Sequence, residues 1–255
     1  MSKNEISRRQ LLVGGAIVGA ASLTGAKGLQ ESTSATSQSI IQGAVPWREG
    51  TADAPTIAEG TDYRFFTQAE QSFIEPAIDR LIPPDENGPS ASQANVHVFL
   101  DRQLGGAFGR GEHFYLGGPW PKGTPEQGYQ SRLSPAQLYR SAIPAIQTSV
   151  KEQHSGRAFK ELSPEEQDRV LKALESGDAR LDGVDGESFF AMFLHNVLEG
   201  YFSDPIYGGN KDMAAWKMIG FPGARYDYRE WVTRHGERVS YLPVGIKGRR
   251  GWSEG

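Results

Sequence analysis

The chain contains no cysteine. Disulfides, thiolate zinc sites, cysteine-ligated iron–sulfur clusters and c-type haem attachment are therefore excluded from it. Also missing are the short motifs of nucleotide binding and hydrolysis. No G-x-G-x-x-G follows a strand, "GGAFGRG" (Gly105 to Gly111) lacks that spacing, and neither H-E-x-x-H nor G-x-S-x-G occurs. The N-terminal apolar run, Leu11 to Ala26, is 16 residues long, short of the roughly 20 that a spanning helix needs. No excess of positive charge appears either. Lys and Arg number 27 against 31 Asp and Glu, the net charge is −4, and the basic residues form no long stripe. A nucleic-acid partner is not expected.

What is present begins with an address. Ser7-Arg8-Arg9-Gln10-Leu11-Leu12 opens a weakly apolar stretch broken by Gly14, Gly15, Gly19 and Gly25. A basic start, a modest apolar run and small residues at its end make a secretory signal. The arginine pair, Arg8 and Arg9, points to the twin-arginine translocase. A Sec signal or a retained monotopic anchor is the alternative. Thr24-Gly25-Ala26 offers cleavage after Ala26, which would leave a mature chain at −6. Residues 27–62, with "ESTSATSQS", carry too little apolar surface to offset ordering entropy and read as a flexible linker.

Residues 63–245 read as a single, mainly α domain with long glycine- and aromatic-rich loops, and 246–255 as a basic tail. Thr67 and Glu70 form a capping box before Phe73, Ile74, Ala77, Ile78 and Leu81 at helical spacing. Pro76 should kink that helix or shift its start. A second helix is expected from near Ser90 or Ser92 to Leu104, followed by a loop from Gly105 to Gly128. Ser134-Pro135 and Ser163-Pro164 each open a further helix, the first running to about His154 and the second to near Gly177. The most apolar helix, about Glu187 to Phe202, should bury Phe189, Phe190, Phe193, Leu194, Val197, Leu198 and Tyr201.

Two constellations resemble chemistry. His195 and Glu199 lie four apart on that helix, with Asp204 nearby, and could serve as an acid–base pair or metal site if other helices contributed. Otherwise His195 caps or satisfies a core contact. Then "SDPIYGGNKD", Ser203 to Asp212, combines carboxylates, a tyrosine and glycines. It holds no nucleophile beside a base. Asp204, Asn210 and Asp212 are suited to holding loop backbone through their side chains. The stretch reads either as a stiff loop closing the core or as a docking surface.

The segment Phe189 to Ala224 carries Asp-Pro-x-Tyr-Gly-Gly-Asn and Trp-Lys-x-Ile-Gly-Phe-Pro-Gly. With "LIPPDENGP" (Leu81 to Pro89) and the arginine pair, it resembles the gluconate 2-dehydrogenase subunit 3 family, over roughly residues 63–228. Ala215 stands where the family often has glycine before the tryptophan. The resemblance implies a non-catalytic small subunit that aids export, folding and stability of an FAD-containing dehydrogenase large subunit. A multihaem cytochrome c subunit completes the implied complex, in the periplasm and associated with the cytoplasmic membrane. FAD and c-type haem would then sit in partner subunits, with no cofactor in this chain. Interface candidates are Asp204, Tyr207, Asn210, Trp216, Phe221 and Tyr226. A stand-alone periplasmic metal enzyme or binding protein is the rival reading.

Overall fold

Three serine and threonine caps set the frame of the helical domain. The computed structural model describes residues 60–246, apart from 113, 115–116, 122, 125–126, 226–227 and 238–240. These residues belong to one unit, Ala54–Gly255. Arg8, Arg9, Ala26 and Tyr226 lie outside the described residues, as do nearly all of the expected linker and tail. The described residues form seven α-helices and no strand, with one isolated bridge between Gly223 and Val244.

Helix α1 (Gln68–Leu81) starts at Thr67, whose hydroxyl accepts the Glu70 N–H while the Glu70 carboxylate accepts the Thr67 N–H. Ser134 with Gln137 opens α4 (Pro135–Gln153), and Ser163 with Glu166 opens α5 (Pro164–Glu175), by the same reciprocal bonding. Gly177 follows α5 with φ +74°, the left-handed conformation that ends a helix without a Cβ penalty. Between α1 and α4 lie α2 (Val96–Gly105) and α3 (Ala107–Arg110); α6 (Gly186–Phe202) and α7 (Ala214–Ile219) follow α5.

Two expectations change. Ser90 does make a capping box with Gln93, but the turn it opens stops at Asn95, which adopts φ 60°. Helix α2 therefore begins only at Val96. The turn is held from outside, by Asp79 accepting both the Ser92 N–H at 2.8 Å and the Ser92 hydroxyl at 2.7 Å. Pro76 lies inside α1 and leaves its start at Gln68. And the loop after Leu104 is interrupted by α3, whose Phe108 packs on the core and continues as a ring chain through Phe114 to Tyr129, each step 5.9 Å.

The core is an aromatic cluster where α1, α4 and α6 meet. Phe73 lies 4.9 Å from Phe159, Tyr139 lies 5.2 Å from Phe189, and Phe189 stacks on Phe193 at 5.6 Å. Each such ring removed from water contributes about 1.5–3 kcal/mol. Tyr139 brings a hydroxyl into this apolar space, and Asn196 donates to it at 3.0 Å. Burial pushes the Tyr139 phenol above its ordinary pKa, so it stays a neutral partner. On the rim, the Arg80 guanidinium grips the Asp168 carboxylate through two bonds of 2.8 and 2.9 Å, tying α1 to α5.

The entry to the domain is fastened at one carboxylate. Asp101, in α2, is 1% exposed. It accepts the backbone N–H groups of Arg64, Phe65 and Phe66 at 2.8–2.9 Å, and Arg102 pairs with it at 2.6 Å.

Candidate partner-docking site

Helix α6 stops at Phe202 because Asp204 precedes Pro205, and proline biases the residue before it away from helical geometry. Asp204 then caps the 3-10 turn Pro205–Tyr207, with its Oδ1 accepting the Ile206 N–H at 3.0 Å. Its Oδ2 accepts the Ile246 N–H at 2.7 Å. One buried carboxylate thus holds the turn and the far C-terminal segment together.

Asn210 is fully buried, with φ 46°. Its Nδ2 donates to the Ser203 carbonyl at 2.9 Å and its Oδ1 accepts the Ala215 N–H at 2.9 Å. The side chain therefore bridges the end of α6 and the start of α7. Asp212 and Met213 follow with φ 57° and 54°. Positive φ at a non-glycine residue costs about 1–3 kcal/mol, so the loop is held in this shape by its surroundings. Gly209 shows how tightly: a Cβ there would lie 2.0 Å from the Gly200 carbonyl oxygen. Beside it, the Lys211 N–H donates to the Ala94 carbonyl at 3.1 Å, joining the loop to the turn before α2.

Trp216 is 6% exposed and its indole N–H donates to the Phe202 carbonyl at 2.8 Å, satisfying a carbonyl in the last turn of α6. Phe221 packs edge-on against it at 5.1 Å. Of the interface candidates, then, Asp204, Asn210 and Trp216 face the chain itself. Tyr207 (38% exposed) and Phe221 (43%) face solvent. Sequence reasoning missed two further exposed apolar residues, Leu198 and Phe202, having assigned Leu198 to the core. They sit one turn apart on α6, interleaved with His195 and Glu199, which marks an outward stripe. Met218 and Ile219 of α7 are exposed as well.

His195 is not a core or capping residue. Its side chain is 72% exposed, with Nε2 3.0 Å from Glu199 Oε1. Asp204 is committed to backbone N–H groups and does not join them. No group of three His, Cys, Asp or Glu side chains placed to hold a metal exists among the described residues. An open depression of about 270 Å³ lies beside the loop, lined by Gly60, Thr61, Asn95, Pro205, Lys211 and Asp212 among others. The arrangement presents a stiff, partly apolar surface.

Residues 68–223 match the family model for gluconate 2-dehydrogenase subunit 3. No curated protein and no solved structure matches the chain.

Proposed function

Because the chain belongs to the gluconate 2-dehydrogenase subunit 3 family, we propose that it is the non-catalytic small subunit of an FAD-dependent gluconate, or related sugar or polyol, dehydrogenase complex. Its work is to bind the flavoprotein subunit, keep it folded and accompany it through the twin-arginine translocase. In this reading residues 1–26 are the export signal, with Arg8 and Arg9 its recognition pair and cleavage after Ala26. Residues 27–62 tether the domain at 63–245, and 246–255 form a basic tail. The assembled complex resides in the periplasm at the cytoplasmic membrane, and a multihaem cytochrome c subunit takes the electrons. FAD and haem belong to those partners.

The observation that carries the reading is how the signature loop spends its polar groups. Asp204, Asn210 and Trp216 all bond to backbone, while Leu198, Phe202, Tyr207, Ile219 and Phe221 are left at the surface. A loop built for catalysis keeps its buried polar groups for substrate; this one commits the buried Asp204 and Asn210 to backbone, and Lys211 and Asp212 stay exposed at its edge. Large aromatic and aliphatic side chains in such a setting are the usual anchors of protein–protein contacts.

Affinity purification of the tagged chain from its host, with a visible spectrum of the eluate, tests this. A co-purifying flavoprotein with flavin absorption supports the subunit role. A lone colourless protein under gentle conditions overturns it.

A further inference from the structure

The stretch Leu81 to Pro89 holds a dipeptide with a chemistry of its own, Asn87-Gly88. Glycine has no Cβ to shield its backbone nitrogen, and that nitrogen is one ring closure away from the side-chain carbonyl carbon of the asparagine before it. The other asparagines of the chain precede Glu5, Val96, Val197 and Lys211, so this is its single Asn-Gly pair. Asn87 is exposed and Gly88 half-buried, in the loop between α1 and α2.

Both reacting groups are tied to one carboxylate. Asp85 Oδ1 accepts the Asn87 N–H at 2.8 Å and the Gly88 N–H at 3.0 Å, and Oδ2 accepts the Asn87 side-chain amide at 3.2 Å. An ionised carboxylate only accepts, so the NH2 end of that amide faces Asp85. The Asp85 N–H donates in turn to the Gly88 carbonyl at 3.1 Å, which closes the turn. These donors, the Asn87 side-chain amide foremost, hold the Asp85 carboxyl below its ordinary pKa. It is therefore charged at neutral pH. The inner side of the turn is packed. A Cβ on Gly88 would lie 3.0 Å from the Tyr201 hydroxyl and 3.1 Å from the Met218 sulfur, and Tyr201 donates to the Pro89 carbonyl at 2.8 Å.

We propose that Asn87 is a deamidation site of this chain and that Asp85 restrains the reaction. In the first step the Gly88 amide loses its proton to hydroxide and its nitrogen attacks Asn87 Cγ. The Gly88 N–Cγ bond forms, the Cγ–Nδ2 bond breaks, and Nδ2 leaves as ammonia after taking a proton from water. Water then opens the cyclic imide, at Cγ to give aspartate or at the Asn87 backbone carbonyl carbon to give isoaspartate. Nothing is oxidised or reduced. Asp85 is not the base, since a carboxylate is far too weak to deprotonate a backbone amide. Instead it sets a negative charge 3.0 Å from the nitrogen that must itself become negative. Repulsion at that separation slows the step by about fivefold to tenfold, even at the dielectric constant of water. The isoaspartate product adds one atom to the backbone path directly ahead of the contacts with Tyr201 and Met218. The inference stands apart from the subunit reading, because it concerns the chemistry of this chain alone.

The test is peptide mapping by mass spectrometry of the full-length chain during incubation at mildly alkaline pH. It follows the amide-to-acid mass change at Asn87, and labelling by an isoaspartate methyltransferase identifies the product. The same chain unfolded in guanidinium chloride gives the rate without the turn. Asn87 is expected to convert in the unfolded chain, and at least about fivefold more slowly in the native one. Asp85→Asn keeps a carbonyl acceptor for the turn and removes only the charge. It should speed native conversion by about fivefold to tenfold. Asp85→Ala removes charge and turn together and should convert fastest of the three folded proteins. Unchanged helical circular dichroism certifies that each variant is folded. Absence of conversion at Asn87 in the unfolded chain overturns the site. Equal rates in wild type and Asp85→Asn overturn the role of Asp85. Equal rates in native and unfolded wild type overturn the restraint without recourse to any variant.

Discussion

Asp204 accepts the N–H of Ile246 at 2.7 Å, from a position 42 residues earlier in the chain. Because its other oxygen serves Ile206, the signature loop and the C-terminal segment share a single fastening. Asp204→Ala removes both bonds and should cost about 2–3 kcal/mol, as expected for hydrogen bonds to a charged group. Limited proteolysis is the direct check. Cleavage between Tyr228 and Pro243 should speed up in the variant well below the temperature at which helical signal is lost. Resistance equal to wild type would show that the segment's other contacts, Val244 with Pro222 and Ala224 among them, hold it without Asp204.

Asn210 separates backbone shape from side-chain bonding. Asn210→Gly keeps the positive φ accessible but loses the bonds to Ser203 and Ala215. Asn210→Ala loses the bonds and adds the left-handed penalty of about 1 kcal/mol or more. The glycine variant should therefore denature at a higher urea concentration than the alanine variant, and both below wild type.

Gly209 and Gly236 make a matched pair. A Cβ at Gly209 collides with the Gly200 carbonyl at 2.0 Å, whereas at Gly236 nothing lies within 4 Å. Gly209→Ala should cost about 3 kcal/mol or more, in the range of severe overpacking. Gly236→Ala should cost about 1 kcal/mol, the price of φ +74° alone. Similar melting temperatures for the two would contradict the close backbone contact.

Tyr207 and Phe221 differ from Trp216 in what their loss should do. Tyr207→Ala and Phe221→Ala remove surface, so each should weaken flavoprotein association by roughly 1–2 kcal/mol, the scale of an interface anchor. Turnover per assembled complex should not change. Trp216→Ala opens a buried site and should destabilise the isolated chain by about 3–5 kcal/mol. Melting curves of the three variants, beside pull-down yields, distinguish the two effects.

The His97 imidazole is held below its ordinary pKa by burial, against the opposing pull of Glu75, Asp79 and Asp101. Its Nδ1 is buried without a hydrogen-bond partner, and its ring lies 5.6 Å from Tyr63. The folded chain keeps it neutral, while the unfolded chain takes up a proton below about 6.5. Stability from this source is complete above that pH and is lost as pH falls through the lower, folded value. The melting temperature of wild type should drop between neutral and about pH 5, and His97→Gln should flatten that slope. Parallel pH profiles would locate the titration elsewhere.

Much of this fold is legible locally. Thr67, Ser134 and Ser163 mark helix starts because capping is a contact between residues three apart. The apolar spacing of α1, α4 and α6 reports which faces are buried. What escaped depends on distant partners. Ser90 begins a turn like the other caps, but Asp79 and Lys211 stabilise a shape in which Asn95 breaks the helix. Leu198 looks like core until the packing of α6 is known, since an apolar helix does not announce which side is left uncovered. At the site, Asp204 and Asn210 are recognisable as loop-holding residues. Their partner at Ile246 is not, because no local pattern links positions so far apart.

The triple grip of Asp101 on Arg64, Phe65 and Phe66 has a mechanical meaning. Any tug on the chain ahead of Gly60 meets the Arg102 guanidinium on the Asp62 carbonyl at 2.8 Å and then three neighbouring N–H groups that converge on the adjoining Asp101 carboxylate. Convergence makes them share the load instead of peeling in succession. Since Asp101 lies inside α2, the load is handed to the helix core and not to a surface loop. A chain threaded by its leading end would thus transmit tension to the bundle as a whole, and the domain would follow as a rigid cargo before its first helix could unravel.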